Sequence, residues 1–348
     1  MPNRRYDAII AGASFAGLAV ARELRGAVLL IDPREVGSHQ TSACGTPLWV
    51  PEALGLGDSV LQVHRRAIVH TQSRTVSFDI ADAPYCTFDY RKFCQGLLDQ
   101  AHARFLRAAV TGVSGDVVET TAGRFSAPCL VDCSGWRGVL ATWAHGASPG
   151  RGQMSFGLEA EADYRGDALY FWANPARFPE GIAWLFPAGR ESRVGLGSYR
   201  GQTKLKEPLD RFVADVAAAP TTYHGTYFPG GLRAATAGRI FVAGDAAGHC
   251  LPVTGEGIRP ALYFGGLCGR IVQQVIGGTK ALDQGLAEYR ERVEEYRWAY
   301  RMLGLAQWIV KCMPSRWAGP LAAIAADPRV MGRWWPRYSR LGDQACRE

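Results

Sequence analysis

The chain has 348 residues, a net charge of +7 and nine cysteines. That length suits about two domains around a substantial core, and no apolar run reaches the roughly 18 residues of a membrane-spanning helix. An odd cysteine count with no Cys-x-x-Cys pair argues against a disulfide framework or a zinc site and favours a reducing cytoplasm.

The start, Met1-Pro2-Asn3-Arg4-Arg5, is basic before an apolar run and imitates a secretory leader, but Asp7 interrupts the approach and the run reads as a strand, Tyr6 to Ala11. Gly12-Ala13-Ser14-Phe15-Ala16-Gly17 follows, then a helix with Leu18, Ala21 and Leu24 on one face, and a second strand from Val28 to Ile31 that ends in Asp32. Strand, glycine turn, helix, strand and acid at this spacing are the requirements of a dinucleotide-binding unit. Gly12 makes the tight turn and Gly17 the close helix packing. The backbone at Ser14, Phe15 and Ala16 offers N–H groups to a pyrophosphate, and Asp32 can accept from a ribose. Ser14 stands where a middle glycine is usual, and a serine there can cap the helix.

Further along, Arg65 to Ile80 alternates like a hairpin, and Arg91 to Arg107 has helical spacing with Phe93, Leu97, Ala101 and Phe105 on one face. Several strands separated by turn signals run from Gln153 to Tyr199. The apolar strand Arg239 to Ala243 then delivers Gly244 and Asp245, placed to bind a ribityl hydroxyl. Gly248, Pro252, Gly255 and Gly257 let the chain pass close beneath a planar ring, and a helix from about Ile258 aims its positive end at that ring. Two glycine-rich contacts far apart in one chain suit one long dinucleotide, and the second is of the kind that holds a flavin, so the cofactor expected is FAD. A single helical pattern runs from Leu282 to Leu303.

Four segments resemble the geranylgeranyl reductase family of flavoproteins, relatives of the aromatic-hydroxylase group: the Gly12–Gly17 turn, Ser42-Ala43-Cys44-Gly45, Leu130-Val131-Asp132-Cys133-Ser134-Gly135, and the Gly244-Asp245 stretch. A fifth, Ala183-Trp184-Leu185-Phe186-Pro187 followed by Gly195-Leu196-Gly197, is similar to the family's substrate-domain strand. The resemblance implies an α/β fold with a Rossmann-type FAD-binding domain (1–62, 85–145 and 231–296), an inserted antiparallel β-sheet substrate domain (63–84 and 146–230) and a C-terminal helical region (297–348). It also implies FAD contacts at Cys44, Gly45, Arg91, Asp132, Gly135, Gly255, Gly257 and Ile258, and no metal. Cys44 would lie near the flavin's reactive face, able to donate a proton or steer a double bond, and Trp184 is the second candidate catalytic residue. His249 and His39 are weaker candidates.

The implied activity is reduction of carbon–carbon double bonds in an isoprenoid or similar apolar substrate. Gly195-Leu196-Gly197 has no following βα turn, so electrons would come from transiently bound NAD(P)H or from an electron-donor protein. The rivals are oxygen chemistry on the same fold and a non-redox isoprenoid cyclase, for which Glu256 is a candidate acid. Halogenation is disfavoured because no lysine precedes Lys92 and the Trp184 strand lacks the first of the two tryptophans of the halogenase signature.

Residues 297–348 carry nine basic and three acidic side chains, and five of the ten tryptophans (Trp298, Trp308, Trp317, Trp334, Trp335). Basic residues interleaved with tryptophan suit peripheral contact with an anionic membrane, on its inner face for a cytoplasmic protein. The alternative is a packed cap with solvated arginines. No compact basic reader motif appears, so nucleic acid is not expected.

Overall fold

A computed structural model describes residues 4–146, 154–179, 181–216 and 219–339. Its centre is a six-stranded sheet in the spatial order 236–237, 240–242, 129–132, 8–11, 28–32, 103–107, parallel except at the Thr236–Ala237 edge. Parallel strands covered on both faces need apolar residues at every position. Ala8–Ala11 and Cys129–Asp132 are buried throughout, which explains why their sequences run apolar rather than alternate.

On one face lie the helices Phe15–Glu23 and Ile258–Ile276, packed so closely that a Cβ at Gly265 would stand 2.6 Å from the Ala16 carbonyl oxygen. Phe15–Glu23 is buried along most of its length, so it is less amphipathic than its sequence suggests. A small sheet (4–5, 110–114, 117–120, 123–126) covers the other face and buries Val118 and Phe125 against Ile9, Leu29 and Leu130.

The helical stretch expected through Arg107 stops earlier. Tyr90–Asp99 is a helix burying Phe93 and Leu97, but Ala103–Arg107 pairs with Val28–Asp32 as the last strand of the central sheet. Phe105 thus packs from an edge strand. A partner strand overrides the local 3.6-residue period.

The second large sheet has seven strands in the order 220–229, 154–162, 191–198, 181–188, 169–173, 66–71, 75–79. It is mixed rather than purely antiparallel, because Leu169–Ala173 runs parallel to Arg66–Thr71. One face packs Ala183, Leu185, Val194 and Leu196 on Leu209, Phe212 and Val213 of the helix Lys206–Asp215. The other face turns toward the central domain.

The pattern read as one helix from Leu282 breaks into Leu282–Glu294 and Arg297–Cys312. At the break the Tyr296 hydroxyl meets that of Tyr263 at 2.7 Å, and its ring packs edge-on against Phe264. Helices Ser315–Ala325 and Pro328–Ser339 follow. Trp335 is buried against Tyr85 and donates to the Ala83 carbonyl, yet eleven of the fourteen exposed large apolar side chains on the described surface fall between Trp298 and Trp334. Among the described residues no helix is long and apolar enough to cross a membrane, and no cluster could hold a metal ion.

Candidate cofactor and substrate site

At the first glycine turn Gly12 has φ +104°, and a Cβ there would lie 2.2 Å from the Cys133 carbonyl oxygen. A Cβ on Gly17 would lie 1.8 Å from the Gly12 carbonyl oxygen, so neither position admits a side chain. Ser14 does not cap the helix as its sequence position suggests; its hydroxyl meets that of Tyr90 at 3.1 Å. The first N–H groups of the helix, at Phe15, Ala16 and Gly17, therefore keep no intrahelical acceptor and are available to an anion. Asp32 braces the turn, accepting from the Ala13 N–H at 2.9 Å and the Arg34 N–H at 2.8 Å. Each oxygen retains a lone pair for a ribose. Arg91 is exposed in the first turn of Tyr90–Asp99, its backbone close against Gly37.

The second contact follows the strand Ile240–Val242. Gly244 has φ +67°, and the Asp245 carboxylate accepts no hydrogen bond from the described residues. Burial pushes its pKa up to about 6, with Arg233 opposing. The turn Gly135–Arg137 packs against Gly244–Ala247, and a Cβ on Gly135 would meet nothing within 4 Å. An unpartnered, half-buried carboxylate, an open glycine turn and a helix start without a side-chain cap fit an extended dinucleotide lying between the two glycine segments.

Four expectations change here. Asp132 is fully buried, and its oxygens accept from Ser134 and from the Ala141 N–H at 2.8 Å. It shapes the loop, leaving any direct cofactor contact in this segment to the Gly135 backbone. A Cβ at Gly248 would stand 2.1 Å from the Gly231 carbonyl oxygen, so this glycine admits a neighbouring strand connection rather than a ring. Glu256, the candidate acid of a cyclase, is held by Arg259 through both oxygens at 2.8 Å. His249 is buried, packs its ring at a tilt against Phe264 and accepts from the Gly244 N–H; burial drives its pKa down to about 3, so it is a neutral structural residue.

Between these points the loop 251–257 carries Gly255 at φ +65° and Val253 at φ +68°, a conformation that β-branched residues rarely adopt. Its restraints come from outside the central sheet. Gln307 accepts from the Val253 N–H at 2.8 Å, Tyr199 donates to the Val253 carbonyl, and the hydroxyls of Tyr338 and Thr254 meet at 2.9 Å. Gly257 and Ile258 then open the long helix, whose positive end points back at the loop.

Cys44 is buried with φ +51°, its thiol donating to the Ser42 carbonyl at 3.3 Å. Burial pushes that thiol up to about 12, against the pull of Arg193, so it stays protonated at neutral pH. Arg193 reaches over from the seven-stranded sheet and donates to the carbonyls of Ala43 (3.0 Å) and Phe88 (3.1 Å), which fixes the loop. A Cβ on Gly45 would meet Phe186 at 3.0 Å. The Cys44 loop is thereby pressed against the sheet face that holds Trp184.

Trp184 itself lies across its neighbouring strand. A Cβ at Gly195 would fall 2.1 Å from the indole, and those at Gly197 and Gly157 would touch its rim at 3.5 and 3.7 Å. The indole N–H donates to Glu159 at 2.7 Å, and the other oxygen of Glu159 meets His224 Nε2 at 2.9 Å. Burial, with Arg34 and His224 nearby, lowers the pKa of His39. Arg193, Glu159, His224 and Gln307 escaped the sequence reading; the one available signal was the glycine pair 195 and 197, whose alternate spacing leaves a flat strip for a ring.

No family model matches the chain. It is similar to digeranylgeranylglycerophospholipid reductase of Methanococcus vannielii, 31% identical over 133 residues, which is 36% of this chain and 34% of that protein. The chain thus spans about a third of that relative's length. Its fold is that of a geranylgeranyl bacteriochlorophyll reductase-like protein of Thermoplasma acidophilum (TM-score 0.84, 19% identity, 94% of this chain and 92% of that one). PqsL of Pseudomonas aeruginosa, described as a probable FAD-dependent monooxygenase, shares it at TM-score 0.69 and 15% identity over 92% of this chain and 99% of that one. The architecture is that of the FAD-binding Rossmann-type flavoproteins.

Proposed function

We propose that the protein is an FAD-dependent reductase of carbon–carbon double bonds in an isoprenoid or similar apolar substrate. The observation that carries this reading is that Phe186 and Arg193 hold the loop of the buried, protonated Cys44 thiol against the sheet face on which Trp184 lies over Gly157, Gly195 and Gly197. In this reading the apolar chain lies in a slot between that face and the 251–257 loop, with Trp184 and Phe186 as its walls and Cys44 at its edge. The similarity to a digeranylgeranylglycerophospholipid reductase supports a prenyl-lipid substrate.

In this reading Gly12–Gly17, Asp32 and Arg91 hold the adenosine diphosphate, and Asp245 the ribityl chain. FAD, when bound, supplies hydride from its reduced ring. The protein orients the alkene, keeps water out and holds a proton at Cys44 Sγ. Electrons reach the site from transiently bound NAD(P)H or from an electron-donor protein, since Gly195-Leu196-Gly197 lies inside the strand Glu191–Ser198. The exposed tryptophans and arginines of the C-terminal helices seat the enzyme on an anionic membrane, the source of such a substrate. The second reading, oxygen-dependent hydroxylation or epoxidation, is favoured by the shared fold with the PqsL flavoprotein.

Anaerobic photoreduction followed by mixing separates the two. Reoxidation of the flavin by a polyprenyl alkene without oxygen supports the reductase, and reoxidation only by oxygen, with an oxygenated product, overturns it.

A further inference from the structure

Across the seven-stranded sheet one row of directly opposed residues reads His224, Glu159, Gly195, Trp184. Opposed residues share a face, so all three side chains stand on the side turned toward the cofactor loop. Gly195 is the gap that matters. With no Cβ on the middle strand, the indole of Trp184 lies flat over it and reaches Glu159 two strands away, at 2.7 Å.

Glu159 is only 3% exposed. A carboxylate buried to that degree is costly unless its lone pairs are filled. Here one oxygen takes the indole N–H and the other the imidazole of His224, which is itself mostly buried. Neither residue belongs to an apolar cluster: Ala183, Leu185, Val194 and Leu196 pack on the opposite face, and the apolar residues of the pair's own face, Leu169, Phe171 and Phe186, lie on Trp184's side of the sheet, away from His224. A polar pair at that cost, outside the apolar clusters and joined to the ring that would wall the proposed slot, points to a role in the site.

We propose that Glu159 is the positioning residue of Trp184, clamping the indole against the glycine floor so that its free face forms a rigid wall of the substrate slot, with His224 locking the carboxylate from the other side. The clamp sets how tightly and in what register an apolar chain is held. The substrate identity rests on the reductase reading; the clamp itself does not.

Two measurements on the FAD-loaded protein test it. With tryptophan labelled by nitrogen-15, the Trp184 indole N–H resonance is the one missing from Trp184→Phe. It should be sharp in the wild type, shifted and broadened in Glu159→Leu, and restored in Glu159→Gln, whose carbonyl still accepts from the indole. An unmoved resonance in Glu159→Leu overturns the clamp whatever the enzyme's substrate.

The second measurement is anaerobic reoxidation of the reduced flavin by geranylgeraniol in detergent. Glu159→Leu should raise the half-saturating concentration about tenfold or more while changing the saturated rate by less than about threefold. Glu159→Gln should recover most of the loss, and adding Glu159→Leu to Trp184→Phe should cost nothing further, because the first acts through the second. Additive losses, or unchanged half-saturation in Glu159→Leu, overturn the proposal. If the wild type is not reoxidised by the alkene, the reductase reading fails and the resonance arm still decides the clamp. His224→Gln, with a milder effect in the same direction, covers the case that Glu159→Leu does not fold.

Discussion

Replacing Trp308 and Trp317 by alanine should release the protein from lipid while leaving its fold intact. Both rings project from the C-terminal helices, 59% and 61% exposed. An aromatic side chain offers about 150–250 Å² of surface, so roughly 100 Å² of each ring is open to insertion. At about 25 cal/mol per Å² that is ~2.5 kcal/mol for full burial and about half that at the depth of a headgroup. The two rings together are then worth about 2–3 kcal/mol, or roughly 30–100-fold in partitioning.

Charge contributes separately. Arg301, Arg333 and Arg337 are exposed on the same helices, and each cation near an anionic surface adds about 1 kcal/mol, so changing all three to Gln should cost on the order of 100-fold at low salt. The assay is sedimentation with vesicles. The wild type should pellet with anionic vesicles at low salt and much less with neutral ones. The arginine variant should lose most of this binding, and at physiological salt, where screening acts over about 8 Å, its difference from the wild type should shrink. The tryptophan variant should bind less at every salt concentration, and its thermal midpoint should stay near that of the wild type because neither ring packs in the core. Wild-type protein remaining in the supernatant with anionic vesicles at low salt refutes the reasoning and makes the C-terminal helices a solvated cap.

The other predictions concern the cofactor side. The purified protein should be yellow and release FAD, not FMN, on denaturation, and Asp245→Ala should weaken its retention by the roughly 1–3 kcal/mol of a lost buried acceptor; unchanged affinity counts against the site. In the FAD-free protein the sign reverses. The folded pKa of Asp245 is raised to about 6, so its neutral form is favoured by folding and its ionisation costs stability as pH rises through 6. Asp245→Asn should therefore stabilise the FAD-free protein at pH 7.5, by on the order of 1–3 kcal/mol, and not at pH 4; equal thermal shifts at both pH values refute this. Cys44→Ser should slow alkene-dependent reoxidation at least about tenfold, within the range of a lost general acid, with the flavin spectrum nearly unchanged. Since burial holds the Cys44 thiol up to about 12, the wild-type rate should show no thiol limb between pH 7 and 9, and a limb there that vanishes in Cys44→Ser contradicts a buried protonated thiol.

Much of the dinucleotide unit is legible in the sequence because its constraints are local. Gly12 and Gly17 sit where any Cβ would strike backbone a few residues or one strand away, and the strands between helices are buried on both faces and so run apolar. The misread elements are those decided at a distance. Ala103–Arg107 reads as helix until Val28–Asp32 is beside it. Ser14 reads as a cap until Tyr90, far along the chain, takes its hydroxyl. Glu159 is the plainest case: in the alternating strand Met154–Ala162 it looks like one more solvent-facing acid, because its indole partner sits two strands away. Asp132 shows the converse. Its place in a family-like motif suggests a ligand contact, while its hydrogen bonds are all spent on its own loop.

The C-terminal helices tie these pieces together. The inner side of Arg297–Cys312 donates from Tyr300 to the His249 carbonyl and places Gln307 between the Val253 N–H and Ser155 of the seven-stranded sheet. Its outer side presents Trp298, Leu305 and Trp308 to solvent. A helix is about 10–12 Å across, so the 251–257 loop and the exposed apolar face are separated by one helix thickness. For an aqueous substrate that arrangement would waste an apolar surface. In the proposed reading a prenyl chain drawn from a bilayer would have only that distance to travel. The same helix restrains Val253 in its left-handed conformation, so whatever seats its outer side also steadies the 251–257 loop. In the proposed reading, membrane contact and cofactor geometry are thus properties of one element, which explains why the charge and the tryptophans are concentrated where the chain also closes its active site.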